Sequence, residues 1–181
     1  MTRFVRSAGA AAIVLAAALL FATAALAAPS AGRTILVKDK CDPATFNAVV
    51  GPGACVGDGD VTFGDFVKQL TASQQAGAWR FAPAQATIDA GTPLAVSNTG
   101  GETHTFTMVA AFGPGFVPFL NDLVFGLGAT PIPEFIAPFP AATLASFMPA
   151  GATRTLNLAP GTYMFECGIH PWMKTMVTVK S

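Results

Sequence analysis

Two stretches of the chain carry side chains suited to inorganic chemistry. Cys167-Gly168-Ile169-His170-Pro171-Trp172-Met173 puts a thiol, an imidazole and a thioether on one short loop. His104 stands in Asn98-Thr99-Gly100-Gly101-Glu102-Thr103-His104-Thr105-Phe106, a turn running into a strand. The chain has two histidines, and both fall where a single site would need them. Two imidazoles, a thiolate and a weak axial thioether form the donor set of a trigonal copper site. A thioether is a poor ligand for zinc, and a structural zinc site would want further Cys or His. A two-copper centre would want a second cysteine in the loop, where Gly168 and Ile169 stand.

The cysteines agree with that reading. Residues 1–28 read as an export signal: Arg3 and Arg6 precede an apolar run from Ala8 to Leu26, and Ala25-Leu26-Ala27 is an A-x-A cleavage site. The alternative is an uncleaved membrane anchor, since the run approaches spanning length. Either way the domain is exported, periplasmic or extracellular, where accessible thiols pair. Of the three cysteines, Cys41 and Cys55 are near neighbours and form the natural disulfide. Cys167 is left over, and an odd cysteine in such a compartment is reactive, intermolecularly paired or ligated.

Without Arg3 and Arg6 the chain carries eight basic and ten acidic side chains. No basic stripe argues for nucleic acid, and membrane association is expected only if the N-terminal segment is uncleaved. The remaining length of about 150 residues suits one domain, expected to be monomeric. Asp58-Gly59-Asp60-Val61-Thr62-Phe63 lacks the ligand spacing and terminal glutamate of a calcium loop.

The elements around the donors are mostly strands. Thr34–Val37, Trp79–Phe81, Ala86–Ile88, Leu94–Asn98, Thr103–Val109, Thr153–Leu158, Thr162–Cys167 and Thr175–Val179 are short β runs separated by Gly, Pro and Asp turns. In Thr103–Val109 the alternation puts His104, Phe106 and Met108 on one face and Thr105, Thr107 and Val109 on the other. Thr62 and Asp65 form a capping box ahead of a helix whose Phe63, Phe66, Val67 and Leu70 share a face. The pattern predicts an all-β, antiparallel β-sandwich over 79–181. Residues 29–78 would form an extension with the disulfide and one helix, packed on the sandwich as a cover. A Phe- and Pro-rich insertion spans about 112–148, with one short helix near Asn121–Leu127. It serves either as a lid completing the core or as an exposed apolar docking patch.

The residues from Trp79 to Ser181 resemble the cupredoxins, the type 1 blue-copper family. Cys167-x-x-His170-x-x-Met173 has the short His-to-Met spacing of the amicyanin subgroup, where plastocyanin uses a longer one, and Asn98 six residues before His104 also agrees. The resemblance implies a Greek-key antiparallel β-sandwich and one type 1 copper held by His104, Cys167 and His170, with Met173 axial. It implies that Asn98 ties the His104 turn to the Cys167 loop; independently of it, Pro171 stiffens the loop directly after His170, and Trp172 is placed to exclude water or to line the surface beside His170. The His170 ring edge would be the electron exit. The implied function is one-electron transfer between a protein donor and acceptor. The alternatives are copper binding and trafficking without a redox partner, or a structural cupredoxin module. Catalysis by this chain alone is not expected, because a second copper would need further histidines. Glu102 and Glu166 read as local polar residues.

Overall fold

The computed structural model describes residues 33–181; the expected export signal lies outside them. Two four-stranded sheets face each other. The first runs β2 (Arg80–Ala82), β1 (Arg33–Lys38), β4 (Leu94–Asn98), β8 (Thr153–Leu156). The second runs β3 (Gln85–Asp89), β10 (Lys174–Lys180), β9 (Gly161–Glu166), β6 (Thr107–Val109). A short pair, β5 (His104–Thr105) with β7 (Phe147–Met148), completes the β structure. Alternate residues of the strands meet in one core, with Ile35, Val37, Leu94 and Val96 from the first sheet and Ile88, Phe165, Val177 and Val179 from the second. Phe106 stacks on Phe165 with ring centroids 4.3 Å apart.

The sandwich expected from the sequence is present, but its sheets are mixed. β1 runs parallel to β4, and β3 parallel to β10. Each parallel pair is joined by a long excursion of chain, which a hairpin cannot make. β1 occupies an interior position of its sheet, so the stretch ahead of Trp79 is built into the sandwich and does not stand apart as an extension. The expected strand Thr103–Val109 breaks at Phe106: β5 pairs with β7 and β6 with β9. Thr105 and Thr107 are consequently buried as fully as His104, while Met108 is 47% exposed.

Helices α1 (Pro43–Val49) and α2 (Phe63–Ser73) lie between β1 and β2. Asp42 caps α1 by accepting from the Thr45 N–H, and Thr62 caps α2 by accepting from the Asp65 N–H. Phe66 and Leu70 of the expected stripe are buried, with Phe63 and Val67 packed against the core. Cys41 and Cys55 are disulfide-bonded across this region. Among the described residues no helix is long and apolar enough to cross a membrane.

The Phe-rich segment folds back on the Cys167 loop. Its helix α3 spans Pro118–Phe125, and Ala141–Leu144 forms a short α4. The Phe116 N–H donates to the Gly168 carbonyl at 2.8 Å. A Cβ on Gly168 would lie 2.6 Å from the Phe135 ring and 2.7 Å from the Phe116 ring. Gly168 is therefore glycine because this segment presses on it. Phe116, Phe139 and Phe147 cluster, whereas Phe119 and Phe125 stay partly open and Leu127 is 93% exposed.

Candidate metal centre

β1 and β4 of the first sheet end where β9 and β10 of the second are joined by the Cys167–Met173 loop. Parallel pairing brings the ends of β1 and β4 level, with Val37 opposite Asn98. The chain then turns through Gly100 and Gly101 into His104. In the loop, the Cys167 N–H donates to the Met173 carbonyl and the Met173 N–H to the His170 carbonyl. His104, Cys167 and His170 are thus brought to one place, Met173 lies at the end of the same loop, and all four are buried.

Three donors converge. Cys167 Sγ lies 3.8 Å from His104 Nδ1 and 3.9 Å from His170 Nδ1, and the two Nδ1 atoms are 3.2 Å apart. Metal–nitrogen bonds of about 2.0 Å and metal–sulfur bonds of about 2.3 Å, spread trigonally, would set donors about 3.5 and 3.7 Å apart. The observed triangle fits one first-row ion without rearrangement of the ligands. Met173 is 1% exposed in the same loop, and softness makes a thiolate with a thioether a copper set.

Behind the donors stand groups the sequence reading passed over. His104 Nε2 is 2.8 Å from Asp39 Oδ2, a fully buried pair. Asp39 also accepts from the N–H groups of Cys41, Gly101 and Glu102. Burial opposes ionisation of Asp39, but the His104 bond and these backbone donors outweigh it and bring the carboxyl down to about 2. Burial likewise opposes charge on His104, yet Asp39 and Cys167 push it up to about 9. His170 moves well below its ordinary value, through burial and the neighbouring His104. A cavity of about 430 Å³, walled in part by Lys38, Lys40 and Arg80, reaches Asp39 from outside.

Glu102 is buried. Its Oε2 accepts a short hydrogen bond from the Trp79 indole N–H and lies 3.7 Å from His170 Nε2. Burial pushes it up to about 7, against the pull of Trp79 and His104. Glu166 is fully buried; one oxygen accepts from the Gly113 N–H and the other has no hydrogen-bond partner among the described residues. Burial raises it to about 8 despite Lys174.

Asn98 braces the turn differently from expectation. Its Nδ2 donates to the Glu102 and Met148 carbonyls, and its Oδ1 accepts from the Gly100 N–H. The tie between the His104 strand and the Cys167 loop is made by Thr105. Its N–H points to Cys167 Sγ at 3.4 Å, and its Oγ1 accepts from the Gly168 N–H at 2.8 Å. Thr105→Val keeps the shape and leaves that N–H without its acceptor. A loss of about 1–3 kcal/mol is expected, measured by urea denaturation, because a buried donor is orphaned.

His170 is not an open edge. It is 3% exposed, with ring centroids of Trp172 at 5.4 Å, Phe66 at 6.2 Å and Trp79 at 6.5 Å. Helix α2 therefore covers the site itself. Pro171 is buried beside it, and Trp172 is partly exposed.

Two packed sheets, with Cys167 and His170 on the loop between the last strands and His104 on β5 beside it, make a cupredoxin-like β-sandwich. No family model matches it, and no curated protein does. Among solved structures it is similar to a purple cupredoxin from Nitrosopumilus maritimus, at 17% identity over 82% of this chain and 99% of that one, TM-score 0.41. A mutant plastocyanin of fern overlaps at 18% identity over 81% and 99%, TM-score 0.39. A Cu(I) amicyanin variant overlaps at 16% identity over 56% and 73%, TM-score 0.35. Overlaps this loose carry no weight for the chemistry, which rests on the side chains of this chain.

Proposed function

We propose that the protein is an exported one-electron carrier, not an enzyme, with one copper held by His104, Cys167, His170 and axial Met173. The observation that carries this is the donor triangle of 3.2, 3.8 and 3.9 Å. Copper bound there would supply a Cu(I)/Cu(II) couple. The chain's part is to hold the donors still, since ligands that do not move between oxidation states lower the reorganisation energy. The loop is clamped by its own backbone bonds, by Thr105 and by the Phe116 and Phe135 rings at Gly168. Water is kept from His170 by Phe66, Trp79 and Trp172. The Cys41–Cys55 bond supports an oxidising compartment. Its redox donor and acceptor are proteins.

The burial of His170 favours a second reading, a copper-holding protein without a redox partner, because no ring edge is presented. Voltammetry of the copper-loaded domain separates the two. A reversible one-electron couple, with fast exchange to a small redox reagent, supports the carrier. Colourless binding of Cu(I) alone would replace it by the holding role.

A further inference from the structure

We infer that Asp39 is the positioning residue of this centre: its carboxylate fixes the His104 ring with Nε2–H toward Asp39 and Nδ1 toward Cys167 Sγ, and biases the site toward the more highly charged copper ion. The inference rests on the proposed copper reading. Three backbone N–H donors and one imidazole nitrogen meet the two Asp39 oxygens. Oδ1 takes the N–H groups of Cys41 at 3.2 Å and Gly101 at 2.9 Å. Oδ2 takes the Glu102 N–H at 3.1 Å and His104 Nε2 at 2.8 Å. Three backbone N–H donors on one carboxyl favour its ionised, acceptor-only form, and the ring nitrogen that faces an ionised carboxylate carries hydrogen. That leaves Nδ1 as the nitrogen free to give up its hydrogen and offer a lone pair to a metal, and Nδ1 is the atom in the donor triangle.

The carboxylate is built in. A Cβ on Gly100 would lie 1.9 Å from Asp39 Oδ2, so the Gly100 position admits no side chain while Asp39 holds this place. The disulfide begins two residues after Asp39 and holds the same turn, through the Val56 N–H on the Gly101 carbonyl. All four Asp39 contacts are met within the protein, so the Asp39–Glu102–His104 cluster has no free lone pairs on Asp39 for a second ion. Glu102 plays the weaker counterpart behind His170, at 3.7 Å and shared with the Trp79 indole. Each ring thus backs onto a carboxylate, an arrangement that orients histidine ligands and raises their basicity.

A buried negative charge behind a ligand stabilises Cu(II) over Cu(I), so removing it raises the potential. Asp39→Asn is expected to weaken copper binding about 10–100-fold. It should also cut the Cu(II)-over-Cu(I) preference about tenfold, which is about 59 mV for a one-electron couple. Asp39→Glu should recover part of the shift, and Glu102→Gln should give a smaller one. A folded Asp39→Asn protein with its visible band and an unchanged potential would overturn the inference. If Asp39→Asn does not fold, long-range ¹H–¹⁵N spectra of the wild-type imidazoles, recorded before copper is added, decide it. Hydrogen on His104 Nε2 with a slowly exchanging, hydrogen-bonded signal supports the assignment; a bare Nε2 refutes it. Failure of the wild-type protein to form a thiolate–copper band would instead sink the copper reading, and the imidazole spectra would still report on the bond.

Discussion

Cys167→Ser is expected to abolish the visible thiolate-to-copper band and to weaken copper binding by more than the roughly 10–100-fold typical of losing an outer partner. The thiolate is both the chromophore and the softest strong donor of the triangle. A serine hydroxyl reaches less far, and it stays protonated where a thiol gives up its proton to a metal. The fold should survive the change. Cys167 Sγ receives one backbone hydrogen bond, a long one from the Thr105 N–H at 3.4 Å, and the loop is held by backbone bonds that serine leaves intact. Copper titration followed by absorbance, with a thermal melt as control, separates loss of the ligand from loss of the fold. A retained band in Cys167→Ser would place the chromophore elsewhere.

The largest effect on stability is expected at Trp79. It is 1% exposed, with Phe66 at 4.6 Å and Phe46 stacked at 5.6 Å, and its indole N–H bonds Glu102. Trp79→Ala should cost about 3–5 kcal/mol, the range for large aromatic deletions in a core, and should open His170 to water. Trp79→Phe keeps much of the packing and removes the donor to a buried carboxyl, for a loss of about 1–3 kcal/mol. Chemical denaturation of the two variants apportions the cost between ring and hydrogen bond. Equal losses would mean that the indole N–H, and not the cluster of rings, holds this region.

The His104–Cys167–His170 cluster was legible because its residue types are scarce: two histidines and one unpaired cysteine. Asp39 was not legible, because Lys38-Asp39-Lys40 reads as a solvated charge run at the end of a strand. Its one sequence signal is Gly100-Gly101 before His104, where the backbone must approach another group closely. Alternation identified the strands but not their neighbours. β1 was assigned to an extension because nothing in Thr34–Val37 says that it pairs parallel with β4, far along the chain. The break at Phe106 escaped notice for a related reason, since Thr105 and Thr107 alternate as solvent-facing residues do until the Phe-rich segment covers them. The face of α2 was read correctly from its period. That it lies over His170 depends on tertiary packing of Phe66 against Trp79 and Trp172, which periodicity does not encode.

Stoichiometric Cu(II) titration of the purified domain, followed by visible absorbance, tests the central claim most directly. An intense thiolate band that saturates at one copper per chain, and bleaches reversibly on reduction, is the predicted result. A protein that takes up Cu(II) without that band, or takes up none, contradicts a His104–Cys167–His170 copper centre.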